Sequence, residues 1–200
     1  MINSLKDLHF YISADLFRYM TSCTFKAFCR AWFIPGFRYS FLLRWCNYLN
    51  KKNILFIFYL IFRLILRHYS FKYGFAIHHS TKIGPGLYIG HFGNIVINPN
   101  SIIGKNVNIT TGVLIGLSYN KDLRKFSYPC IKDYVSLGNN SKIIGGATIG
   151  ERAFIGVSSV VTKDIPENAV AVGSPAKIIS YDGSSAYVGS FHPKTIDYHV

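Results

Sequence analysis

The sequence predicts a mainly β chain, a solenoid of short stacked strands preceded by an α-helical segment. Three observations lead there. Aliphatic residues recur at every sixth position from residue 77; residues 1–72 are rich in aromatics, Leu, Lys and Arg without strict alternation; and one stretch, 117–130, skips the repeat and lets it resume. With 200 residues, half of them apolar, and a mean hydropathy of +0.22, the chain suits one compact unit with its own core rather than extended disorder.

The first element, residues 1–72, reads as short helices broken at Pro35-Gly36 and near Asn47–Asn53, with Ser13 or Asp15 as a candidate cap. Its most apolar window is Ile54–Leu66, interrupted only by Arg63. As a helix this window spans about 20 Å at 1.5 Å per residue, short of the ~30 Å of a bilayer core, so it does not cross a membrane. Two readings stay open, and the flanks Lys51, Lys52 and Arg67 suit both. The helix packs on the rest of the chain or on a neighbouring subunit with Arg63 snorkelling out. Alternatively, residues 51–67 make a peripheral contact with an anionic leaflet.

Charge divides the chain the same way. Of the net +13, residues 1–76 carry +9, with Asp7 and Asp15 as their only acids, and no Asp or Glu stands between Asp15 and Asp122. The excess sits among aromatics with no recognition motif beside it, which argues against nucleic acid. Cys23, Cys29, Cys46 and Cys130 show no C-x-x-C spacing, and no secretory segment precedes them; a reducing, cytoplasmic setting is expected. The seven histidines include no H-E-x-x-H, and no metal is expected.

From residue 77 the aliphatic residues fall at Ile77, Ile83 and Ile89, then Ile97, Ile103, Ile109 and Ile115, then Ile131, Leu137, Ile143, Ile149, Ile155 and Val161. Three hexads make one triangular coil, with the periodic residue inside and Gly or Asn easing the corners. About five coils result, with a two-residue slip at Ile95–Ile97 and the break at 117–130, which is expected to project as an extended loop. The chain thus divides into 1–72, 73–180 and a tail, 181–200, that either caps the stack or stays mobile.

With the segments IGPGLYIGHFGNIVIN (83–98) and VVTKDIPENAV (160–170), the hexads of 131–161 and the ending AVGSPAKII (171–179), the chain resembles the hexapeptide-repeat acyltransferases, and among them the branch that includes the serine acetyltransferases. The resemblance implies a left-handed parallel β-helix, against the usual right-handed crossover. It also implies a homotrimer, or a dimer of trimers, with sites between subunits, and direct acetyl transfer from acetyl-CoA without an acyl-enzyme. His91 matches the family's catalytic histidine, and an imidazole with an ordinary pKa near 6.5 suits a general base. By the same carry-over Asn139, Val157, Thr162, Lys163 and Lys177 contact the coenzyme, and the Gly116 amide is a candidate oxyanion donor. His78 is a candidate acceptor contact.

The chain departs from the serine acetyltransferase pattern at three places. Ala76 stands where the family has the aspartate that orients the base, Gly90 where it has an acid, and Ser127-Tyr128 where an Arg-His pair grips the serine carboxylate. Asn94, a main-chain carbonyl or a neighbouring subunit's acid is then left to orient His91. The missing clamp, together with Tyr88, Phe92, Tyr119, Phe126 and Tyr128, favours a sugar acceptor. The run Pro35–Phe41 is also similar to the N-terminal segment of polysaccharide O-acetyltransferases. The expected function is O-acetylation of a bacterial surface polysaccharide or its precursor. The alternatives are a serine O-acetyltransferase of cysteine biosynthesis and a non-catalytic scaffold.

Overall fold

The structure, a computed structural model, describes residues 2–50, 52, 55–120 and 124–195. Lys51, Asn53 and Ile54 of the basic-apolar window, residues 121–123 and the end of the tail lie outside the described residues.

Among the described residues four α-helices come first: α1 (Leu5–Met20), α2 (Phe25–Ala31), α3 (Pro35–Leu49) and α4 (Phe56–Tyr73). Ser4, not Ser13 or Asp15, caps α1. Its hydroxyl accepts the Asp7 N–H at 3.0 Å while the Asp7 carboxylate accepts the Ser4 N–H at 3.1 Å, a reciprocal capping box. Ser13 and Asp15 lie inside the helix. The expected break at Pro35-Gly36 is there: α2 ends at Ala31 and Pro35 opens α3, where its fixed φ is pre-set and the missing N–H costs nothing. The expected break near 47–53 is the gap between α3 and α4. Gly74, at φ +69°, ends α4 in the left-handed region that glycine enters freely.

The solenoid follows in five coils, as the hexads predict, four of them of three short parallel strands and the last of two strands and a bridge. The first coil is β1 (Phe75–Ile77), β2 (Lys82–Ile83) and β3 (Tyr88–Ile89), and the second is β4 (Ile95–Ile97), β5 (Ile102–Ile103) and β6 (Asn108–Ile109). In the third coil, β7 (Leu114–Gly116) is separated from β10 (Cys130–Ile131) and β11 (Ser136–Leu137) by the insertion. β12 (Lys142–Ile144), β13 (Thr148–Ile149) and β14 (Phe154–Ile155) form the fourth. β15 (Val160–Val161), a bridge at Ile165 and β16 (Val170–Val172) close the stack. Three faces result: β1-β4-β7-β12-β15, here the first face; β2-β5-β10-β13, the second; and β3-β6-β11-β14-β16, the third, which β17 (Lys177–Ser180) extends antiparallel. All thirteen periodic aliphatic residues point inward, none more than 7% exposed. At about 25 cal/mol per Å² of apolar surface removed from water, this column is the main stabilising term.

Two expectations about the irregular parts change. The insertion is a β-hairpin rather than an extended loop: β8 (Ser118–Asn120) pairs antiparallel with β9 (Lys125–Ser127), closed by a 2.9 Å Ser118–Ser127 hydroxyl bond and a Tyr119–Phe126 ring contact. The slip at Ile95–Ile97 is an enlarged corner. Ile89 registers with Ile109 and Ile97 with Ile115, so eight positions separate Ile89 from Ile97 where six separate Ile109 from Ile115. The two extra residues fall in 90–94, between β3 and β4.

The described part of the tail packs on the outside of the third face. Tyr187 stacks on Phe154 with ring centroids 4.0 Å apart, and Thr195 accepts a bond from Asn106 at 2.9 Å.

Candidate active site

The enlarged corner carries His91, and the helices hold the strand that leads into it. Asp15 of α1 and Arg44 of α3 form a buried two-pronged ion pair at 3.0 and 3.1 Å. Asp15 also accepts the Gly86 and Leu87 amides at 2.9 Å each, while Arg44 donates to the carbonyls of Ile83 and Gly84 at 2.8 and 2.7 Å. Each charge is thereby surrounded by hydrogen-bond partners, the condition under which burial of an ion pair is tolerated. The Tyr19 hydroxyl accepts the Ile89 N–H at 2.8 Å and donates back to the Ile89 carbonyl at 3.3 Å; burial pushes its phenol far up. Arg18, lowered to about 10 by burial, donates to the Asn106 carbonyl at 3.0 Å and to Asn108 at 2.5 Å. Gly36 completes the contact, since a Cβ there would collide with the Ile89 carbonyl.

The corner itself is tied on two sides. The Gly93 and Ile95 amides donate to Tyr73 and Gly74 at the end of α4, at 2.8 and 2.9 Å. Thr111 of the next coil donates to the Gly93 carbonyl at 3.2 Å. Gly93 sits at φ +114°, where a side chain would be strained. On this pinned backbone His91 and Phe92 project into solvent, and the His91 ring makes no hydrogen bond among the described residues. Asn94 does not orient it here.

Beside the corner, a groove of about 920 Å³ crosses the outer side of the first face from Gly74 and Asn94 to Asn98, Gly116 and His78. Its floor is apolar: Ala76, Val96 and Leu114 point outward from β1, β4 and β7. The remaining site candidates stand at the edges of that face. Asn139 and the exposed Val157 follow β11 and β14, as His91 follows β3, so all three lie on the edge between the third and first faces. At about 4.8 Å per coil they are roughly 10 and 14 Å along it from His91. Gly116, Thr162 and Lys163 lie on the opposite edge of the first face. Gly116 registers with Ile144 in the ladder and its carbonyl accepts the Gly145 N–H. Lys163 and Lys177 line one cavity of about 400 Å³ at the last coil, with Asp164 and Pro175.

Three candidates stand in other settings. Tyr88 packs on Tyr19 with centroids 4.7 Å apart and lies under the Arg18 guanidinium, joining solenoid to helices. Tyr119 belongs to the hairpin, and Tyr128 follows it in the segment leading to β10. The hairpin leaves the edge opposite His91, so one subunit does not gather the aromatic set around that histidine.

The two adjacent histidines differ. His78 is exposed on the groove and bonds Ser80 at 2.6 Å. His79 is buried, 3.2 Å from the Tyr59 hydroxyl, which accepts a 2.7 Å bond from Arg63. Burial, then the positive charge of His78 and Arg63, depresses His79 to about 4, so it is neutral near pH 7. The Asp15–Arg44–Tyr19 network is the part that sequence reasoning missed; its signal was Asp15, one of only two acids in an otherwise basic, aromatic segment. Among the described residues no cluster of three or more His, Cys, Asp or Glu is placed to hold a metal.

No family model matches the chain. Against curated proteins, it is 34% identical to the serine acetyltransferase of Helicobacter pylori over 151 residues, which cover 74% of this chain and 83% of that one. The chain belongs to the serine acetyltransferase family. Solved members agree with this. A serine acetyltransferase of Neisseria gonorrhoeae in complex with serine superposes with a TM-score of 0.69 at 28% identity, covering 86% of this chain and 69% of that one. A serine acetyltransferase in complex with CoA superposes with 0.70 at 26% identity, covering 88% and 71%. The protein is therefore an acyltransferase, and the expectation of a polysaccharide acceptor is overturned: the relatives it matches are serine acetyltransferases. The physical ground for that expectation also weakens, since Tyr88 packs on the helices and the hairpin aromatics stand away from His91.

Proposed function

We propose that the protein transfers the acetyl group of acetyl-CoA to the hydroxyl of serine, with His91 as general base. Kinship with serine acetyltransferases, one solved with serine and one with CoA, carries this reading. The solvent-facing His91, without a hydrogen bond among the described residues and beside an open groove, is consistent with it. The serine hydroxyl attacks the thioester carbonyl as His91 takes its proton. The tetrahedral intermediate then collapses, the C–S bond breaks, and the coenzyme leaves with the proton that His91 returns. Asn139 and Val157, on the His91 edge, line the path of the pantetheine arm, and Lys163 and Lys177 meet its phosphates.

Gly116, Thr162 and Lys163 stand across the first face from His91, so a second subunit laid against that face is needed to complete one site. This supports a trimer. Ser127 and Tyr128 lack the charge of the family's Arg-His pair, so serine binds weakly and its KM is high. Ser127→Arg with Tyr128→His lowers KM by about tenfold, the value of one charge-assisted hydrogen bond. Mass spectrometry of serine incubated with labelled acetyl-CoA and the enzyme tests the reaction. O-acetylserine together with free CoA is expected, and coenzyme binding without any acetylated serine overturns the proposal.

A further inference from the structure

The helix α4 has two faces, and the fold uses one. Tyr59, Leu66 and Tyr73 are buried against the rest of the protein. On the opposite side Ile57, Leu60, Ile61 and Leu64 form an apolar stripe at helical spacing, with Ile57 72% and Leu64 67% exposed; the exposed His68 follows one turn on, and Phe71 beyond it lines the first-face groove. Arg63 and Arg67 border this stripe on one flank and Lys72 on the other, all exposed. The helix has 18 residues, and no helix among the described residues is long and apolar enough to cross a membrane.

The charges decide what covers this face. A second copy presenting the same stripe would set Arg63, Arg67 and Lys72 against their counterparts. The segment has no acid to offset them: Asp15 is buried on Arg44, and Asp7 is held in the α1 cap. A surface that is apolar within and negative at its rim meets both demands. From the exposed stripe and its basic borders we infer that α4 lies in the plane of an anionic lipid leaflet, with Ile57, Ile61 and Leu64 in the acyl boundary and Arg67 and Lys72 at the headgroups.

Flotation of the full chain tests this with vesicles of phosphatidylcholine alone and of phosphatidylcholine mixed equally with phosphatidylglycerol. The protein is expected to float with the mixed vesicles and not with phosphatidylcholine alone. Arg67→Gln with Lys72→Gln is expected to weaken binding by about tenfold or more, since each basic residue near such a surface contributes about 1 kcal/mol. Leu64→Glu, with an unchanged circular dichroism spectrum, is expected to abolish flotation. Failure to float with either vesicle, or equal flotation with both, overturns the inference. So does a fall in oligomer mass with Leu64→Glu in lipid-free solution, which assigns the stripe to a protein contact.

Discussion

The first coil and the four that follow obey the same six-residue rule but are held in place differently. Coils two to five are a column of Ile, Leu and Val closed by strand ladders. The first coil has that core and, in addition, a buried charged network that grips its backbone from α1 and α3, and the enlarged corner with His91. Repetition builds the scaffold; the candidate chemistry sits where the repeat is interrupted and separately anchored. A hydrophobic stack is non-directional, whereas directional hydrogen bonds to Gly86, Leu87 and Ile89 orient the strand that leads to His91.

The comparison can be broken most directly at the corner. His91→Ala is expected to lower turnover by about two to four orders of magnitude with folding and coenzyme binding kept; near-normal turnover would remove the first coil's special status. Next, Asp15→Ala leaves Arg44 buried without its partner and two amides unsatisfied. A loss of about 3–5 kcal/mol in denaturant unfolding is expected, along with reduced turnover in the molecules that remain folded. Ile149→Ala, in the fourth coil, is the contrasting case: a cavity cost of about 2–5 kcal/mol with turnover per folded molecule unchanged. Equal damage to activity from both variants would show that the coils are coupled as one body.

The smallest effect is a pH dependence. His79 is depressed to about 4 by burial and neighbouring positive charge, so the unfolded chain binds its proton first as pH falls. Its contribution to stability is full above about pH 6.5 and is lost as the pH falls from there through about 4. Thermal unfolding at a series of pH values should show this slope, and His79→Gln should flatten it.

What was legible in the sequence was what repeats. The periodic residues mark the inward face of every coil because a short strand turning one corner every six residues leaves little choice of which side chain enters the core. The slip at Ile95–Ile97 was visible, yet its meaning, a corner widened around His91, needed the register of β3 and β4 against their neighbours. Asp15 was misread as a cap because its partners, Arg44 and the amides of Gly86 and Leu87, lie 29, 71 and 72 positions away. Pro35-Gly36 was legible as a helix boundary, but not as a close approach, because the need for a glycine arises from a carbonyl at Ile89. The acceptor was misjudged because aromatic side chains counted toward a sugar site are divided between helix packing and a hairpin on another edge.

The Asp15–Arg44 bridge also bears on how far the enzyme can be trimmed. A chain cut at residue 73 would keep every coil and His91, yet Gly86, Leu87 and Ile89 would face water where carboxylate and phenol now meet them. The smallest piece able to aim that histidine is therefore longer than the smallest piece able to wind the solenoid.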